Sequence, residues 1–100
     1  MTTMTRQTVV RVTADHIEQG KASDCVACPV ALAVTEAIPG LAAVAVDQME
    51  VTAWIAWETW RAATPGIARK FIKRFDDCEA VKPVEFTLAW ELVEPTEGPS

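Results

Sequence analysis

The chain has one histidine, no tyrosine and only four glycines in 100 residues. So few glycines leave no Gly-rich loop to cradle phosphates. The lone His16 stands in no Ser/His/Asp arrangement of the kind that activates a nucleophile. No apolar run approaches the roughly 20 residues that span a bilayer. The first residues, Met1-Thr2-Thr3-Met4-Thr5-Arg6, hold no apolar signal region, so a cytoplasmic protein is expected. Basic residues are scarce too: nine Lys and Arg against fourteen Asp and Glu give a net charge of −5. That balance disfavours nucleic acid, whose phosphates require a basic surface. Three cysteines without an export signal suit reduced thiols or metal ligands better than a disulfide framework.

What is present fits one domain, since half the residues are apolar and a chain of this length can bury its own core. The domain is expected over residues 1–93, with 94–100 a disordered tail holding two prolines and a glycine. Gln7 to Thr13 reads as a strand, with Thr8, Val10 and Val12 on one side and Val9 and Arg11 on the other. Thr13 can cap a short helix that stops before Gly20. A second helix opens at Pro29, where a missing N–H costs nothing, and Pro39-Gly40 ends it. Leu41 to Val46 and Met49 to Trp57 read as a hairpin joined by Asp47-Gln48, pairing Val46 with Met49 and Val44 with Val51. That pairing sets Ala53, Ile55 and Trp57 on the core face and Trp54 on the other.

Glu58 to Ala63 reads as a connection carrying Trp60. Thr64-Pro65, an N-cap followed by proline in the first turn, starts a third helix that runs to about Asp77, with Ile67, Phe71, Phe75 and Cys78 on one face. Val84 to Leu92 alternates as the final strand. The expectation is an α+β fold in the order strand, short helix, helix, strand, strand, helix, strand. About four mainly antiparallel strands would form one sheet, with the helices on one face.

Chemistry, if present, centres on Cys25-Val26-Ala27-Cys28 ahead of Pro29. A C-x-x-C pair at a helix N-terminus can lower a thiolate pKa and support redox exchange, with Cys25 attacking and Cys28 resolving. The same pair supplies two zinc ligands, which Cys78 and His16 could complete as a Cys-Cys-Cys-His site. The plainer expectation is that all three cysteines are small buried hydrophobes and His16 a surface or capping residue, so no metal or cofactor is favoured. Asp76-Asp77 beside Glu79 is read as solvated.

Two further features point to a protein partner. Arg69, Lys70, Lys73 and Arg74 cover the outer side of the third helix, and the rest of the chain is strongly acidic. Such polarised charge favours oriented docking. Four tryptophans are many for this length. Trp57 and Trp90 have core partners by alternation, whereas Trp54 and Trp60 do not and become contact candidates. An acidic mimic of nucleic acid would need more aligned carboxylates than Glu85 and Glu91 provide.

At His16-Ile17-x-x-Gly20 and Cys25-x-x-Cys28-Pro29-Val30-Ala31-Leu32-Ala33 the chain resembles small proteins of actinobacteria and their phages. These share an H-I-x-x-G, C-x-x-C-P-x-A-L-A pattern. The resemblance implies a shared fold and a phage origin, and it transfers no catalytic residue. The resulting expectation is a non-enzymatic monomer or homodimer that engages a host or cognate protein away from membranes. The competing reading is a structural zinc or thiol-redox site at Cys25 and Cys28.

Overall fold

The computed structural model describes residues 5–22 and 24–93. The expected tail and the first four residues lie outside that range. Eight elements follow in order: β1 (Thr5–Val12), α1 (Ala14–Gln19), α2 (Pro29–Ala37), β2 (Leu41–Val46), β3 (Glu50–Ile55), β4 (Glu58–Ala63), α3 (Gly66–Asp76) and β5 (Val84–Val93). The fold is α+β. Its strands form one antiparallel sheet in the order β1-β5-β4-β3-β2, curled into a half-barrel.

The sheet therefore has five strands where about four were expected. The difference is β4, read from the sequence as a connection. In Glu58-Thr59-Trp60-Arg61-Ala62-Ala63 only Trp60 and Ala62 face the core. An alternation carried by one tryptophan and one alanine is too weak to read as a strand.

Alternation elsewhere decides which residues face inward. Val10 and Val12 of β1 lie opposite Phe86 and Val84 of β5. Val44 and Val46 lie opposite Ala53 and Val51, and Ala53 and Val51 lie opposite Trp60 and Ala62. These side chains line the concave face and, with Leu88 and Trp90, form most of the core. On the convex side Arg11 pairs with Glu85 at 2.6 Å. Both partners are well exposed, so the pair stabilises by under about 1 kcal/mol.

The expected hairpin pairing of Val46 with Met49 is corrected by two residues. Val46 lies opposite Val51, and Asp47 to Met49 connect β2 to β3. The Asp47 carboxylate accepts the N–H groups of Met49 and Glu50 at 2.7 Å each, which builds a wider turn than two residues allow. A shift of two preserves which face each side chain takes, so the apolar residues still point inward. Met49 is left exposed.

The third helix starts at Gly66 with Pro65 in the cap position, and no side chain caps it. Thr64, expected as that cap, is buried and donates its hydroxyl to the Asp47 carbonyl at 3.0 Å. The buried face is Ala68, Phe71 and Ile72, with Phe75 partly covered. Ile67 is exposed, so the face is turned from the expected line. α2 lies across the concavity and touches both edge strands, β1 and β2, as well as α1. None of the helices among the described residues is long and apolar enough to cross a membrane.

Candidate functional site

The segment from Thr13 to Ala37 is tied together by hydrogen bonds from Thr13, His16, Asp24, Cys28 and Glu36. Thr13 caps α1, and His16 stands three residues on, where a capping box usually carries Glu or Gln. Thr13 N–H donates to His16 Nδ1 at 3.0 Å, which fixes Nδ1 as the acceptor. The proton then sits on Nε2, 2.7 Å from the Glu36 carboxylate on α2. His16 thus joins α1 to α2 and is buried. Gly20 completes the join at the other end of α1. A Cβ there would lie 2.5 Å from Pro29 Cδ and Cγ, so only glycine permits this approach.

The cysteine turn is equally committed. The Asp24 carboxylate accepts from Val26 N–H at 3.0 Å and Ala27 N–H at 3.1 Å. Cys28 N–H donates to the Asp24 carbonyl, and the Cys25 carbonyl accepts Val46 N–H at 2.8 Å, which ties the turn to the edge of β2. Helix α2 opens at Pro29, as the proline predicts. Cys28 is its N-cap, and Sγ accepts Ala31 N–H at 3.4 Å.

Cys28 is 5% exposed. Burial pushes its thiol above the ordinary value, outweighing the hydrogen bonds from Ala31 and Val30. A raised thiol pKa is the reverse of what an attacking or metal-ligating cysteine requires. Cys25, expected as a buried hydrophobe, is exposed and unbridged.

Cys78 corrects the same expectation, because it does not continue the inward face of α3. It lies past the helix end at φ 62. Cys78 N–H bonds to the Phe75 carbonyl and Glu79 N–H to the Arg74 carbonyl. This is a Schellman ending in which cysteine holds the left-handed position usually given to glycine. Among the described residues no three His, Cys, Asp or Glu side chains gather to hold a metal. His16, Cys25, Cys28 and Cys78 are not assembled into the four-ligand site considered from the sequence.

The tryptophans divide differently from the alternation argument. Trp60, expected at the surface, is 2% exposed on the concave face of β4. Trp57, expected in the core, is fully exposed. β3 ends at Ile55, which pairs with Glu58, so Ala56 and Trp57 form a two-residue turn with Ala56 at φ 55. Trp54 stays on the convex face, 39% exposed, opposite Thr59 and Ala43, which are too small to cover it. Trp90 is buried, as alternation predicts.

Arg69, Lys70, Lys73 and Arg74 are exposed on α3. Arg69 donates to the Gln48 carbonyl at 3.2 Å, beside the β2–β3 turn. That end of β3 is roughly 20 Å from the Trp57 turn, for a strand of this length at about 3.3 Å per residue. The basic face and the exposed tryptophans are therefore separate surfaces.

A half-open cavity of about 150 Å³ lies at the far end of α2 from the cysteine turn. Arg6, Thr8, Ala37, Ile38, Pro39, Ile55, Trp60 and Trp90 line it. The Arg6 guanidinium carbon sits 5.4 Å from the Trp60 ring centroid, within cation–π range. Trp90 Nε1 donates to Thr8 Oγ1 at 3.1 Å. This site was not singled out from the sequence. Its signal is that Arg6 and Thr8 precede Val10 and Val12 on the same face, placing a cation and a hydroxyl at the end of an apolar stripe. Comparison with models of protein families, with curated proteins and with solved structures finds no match to this chain.

Proposed function

We propose that this chain is a small non-enzymatic protein-binding protein, of the kind a phage or mobile element uses to engage a host protein. The observation that supports the reading is Trp57, fully exposed at the tip of the β3–β4 hairpin. A free indole costs solubility, and tryptophan is enriched where binding energy concentrates. Here it sits on a tight two-residue turn whose first residue holds a positive φ, so the ring is carried on a stiff support. Trp54, three residues earlier on the convex face, supplies a second anchor. The partner this suits has an apolar pocket able to take an indole. The basic face of α3 steers an acidic partner from a distance without touching the same patch.

The cysteine turn has no part in this function. Cys28 is occupied as a helix cap, and burial pushes its thiol above the ordinary value.

The test is paired capture from host extract with wild-type protein and the Trp54→Ser/Trp57→Ser double variant. Melting temperatures are measured on both. The expected result is an unchanged melting temperature and the loss of one or more proteins captured by the wild type. Identical capture by both proteins refutes the reading.

A further inference from the structure

The segment that follows α3 borders the helix it has just left. The Schellman bonds at Cys78 and Glu79 turn the chain, and Ala80 to Pro83 lead to β5 without regular structure. Between this segment and α3 lies an open groove of about 410 Å³. On the helix side Ile67, Lys70 and Arg74 line it, at the i, i+3 and i+7 spacing of one stripe. Phe71 closes the floor, and Val81, Lys82 and Pro83 stand on the opposite wall.

Three features of this groove point to one kind of occupant. It is lined by three cations and by no carboxylate. Among the described residues Lys70, Arg74 and Lys82 take no part in an ion pair, and Glu85, just beyond the groove, is engaged by Arg11. Between the cations the surface is apolar and within reach of a ligand. Ile67 is 52% exposed, Pro83 is exposed and Val81 is half-buried. Lastly, Ala80, Val81 and Lys82 make no backbone–backbone hydrogen bond among the described residues. The wall therefore offers main-chain N–H and C=O groups to an extended chain.

From these features we infer that the groove binds an acidic peptide in extended conformation, with one bulky apolar side chain seated between Ile67 and Val81. Its carboxylates meet Lys70, Arg74 and Lys82. Its apolar side chain covers the surface left open at Ile67, and its backbone bonds to Ala80–Lys82. Charge decides against two larger polyanions. Nucleic acid and an anionic membrane both extend past the groove over a chain of net charge −5, which repels them. A short peptide meets only the cationic walls. The groove borders the first residue of β5, and the Trp57 hairpin adjoins its last, where Thr59 lies opposite Val93. That ten-residue strand sets the two sites roughly 30 Å apart. Peptide binding thus stands whether or not Trp57 engages a partner.

The experiment is fluorescence anisotropy of the full chain with labelled octapeptides of aspartate and glutamate, each carrying one central Leu, Ile, Phe or Trp. At low salt the best of them should bind with a dissociation constant of about 0.1 mM. Its counterpart with serine at the centre should bind about tenfold more weakly. Lys70→Gln/Lys82→Gln should also weaken binding about tenfold. Arg69→Gln/Lys73→Gln removes the same charge from residues that do not line the groove, and should change affinity less than about twofold. All four side chains are exposed, so both variants keep the fold.

The proposal is overturned if no peptide binds more tightly than about 1 mM, or if the two double variants weaken binding equally, as a diffuse charge effect would. Equal affinity for the serine-centred peptide overturns it as well, and so does tighter binding of a single-stranded oligonucleotide or of phosphatidylserine vesicles. Should a variant lose its fold, the serine-centred comparison decides alone.

Discussion

Replacing Gly20 with alanine adds one methyl group at the most crowded backbone position among the described glycines. The new Cβ would lie 2.5 Å from Pro29 Cδ and Cγ and 2.6 Å from Pro29 N. Carbon atoms pack at about 3.5–4.0 Å, so α1 and α2 must separate by about 1 Å. The obstacle is a ring and a backbone nitrogen, with no flexible chain end to swing aside. Pro29 is itself buried at the first turn of α2, behind the Cys28 cap. Overpacking of this kind costs up to about 3 kcal/mol. Gly20 has φ −71, which alanine adopts freely, so the substitution regains about 0.7 kcal/mol by restricting the unfolded chain.

The expected net loss is about 2 kcal/mol, or roughly 8–16 °C in melting temperature for a domain of this size. Urea unfolding of wild type and variant measures it, with m unchanged if the folded state stays compact. Gly66→Ala is the control. Nothing lies within 4 Å of a Cβ there, and the same substitution should stabilise by about 0.5–1 kcal/mol. The reasoning fails if Gly20→Ala is as stable as wild type or follows Gly66→Ala.

Substitutions at Cys78 and Cys28 test the roles assigned to those two cysteines. Cys78→Gly relieves a non-glycine residue at φ 62 and should raise stability by about 0.5 kcal/mol or more. Cys78→Val, β-branched in the same left-handed position, should lower it by about 1–2 kcal/mol; urea midpoints that rank the two the other way refute the Schellman assignment. For Cys28 the folded thiol titrates above its ordinary value of 9.0, so the folded state holds the proton more tightly than the unfolded state. Its stabilising contribution is complete below the unfolded thiol pKa and is lost as pH rises through the folded one. In a Cys25→Ser/Cys78→Ser background, stability should fall more steeply above about pH 9 with Cys28 present than in Cys28→Ser, which keeps a capping hydroxyl. Parallel profiles count against burial as the source of the shift.

The parts of the fold legible in the sequence are those where one strong local signal acts alone. Pro29 could only open a helix, Thr13 could only cap one, and Val84 to Leu92 alternates without a break. The misreadings share a different cause. β4 is a strand because β3 and β5 flank it, which its own six residues do not announce. Trp57 continues the alternation of β3 in sequence, but the chain turns at Ala56 and the pattern stops meaning anything. Cys78 continues the period of α3 past the point where the Schellman bonds have ended the helix. In each case tertiary pairing or backbone geometry overrode a periodicity that was real over most of its length. The cavity was hidden for a related reason. Its lining residues come from β1, β3, β4, β5 and the end of α2, so no short spacing in the chain marks it.

This arrangement gives the H-I-x-x-G and C-x-x-C-P residues a meaning that local chemistry did not suggest. Each acts on α2. His16 holds it through Glu36, Gly20 admits Pro29, and Cys28 caps its first turn. The Cys25 carbonyl binds the turn to β2. α2 contacts both edges of the half-barrel, so its placement decides how far Ala37 and Ile38 stand from Trp60 and Trp90. Nine residues of helix, about 13 Å at 1.5 Å per residue, separate the residues that fix the helix from those that form the pocket. The cysteine motif thus governs the cavity from its opposite end without lining it. Substitutions at His16, Gly20 or Cys28 should therefore act on stability, through the seating of α2 on the sheet.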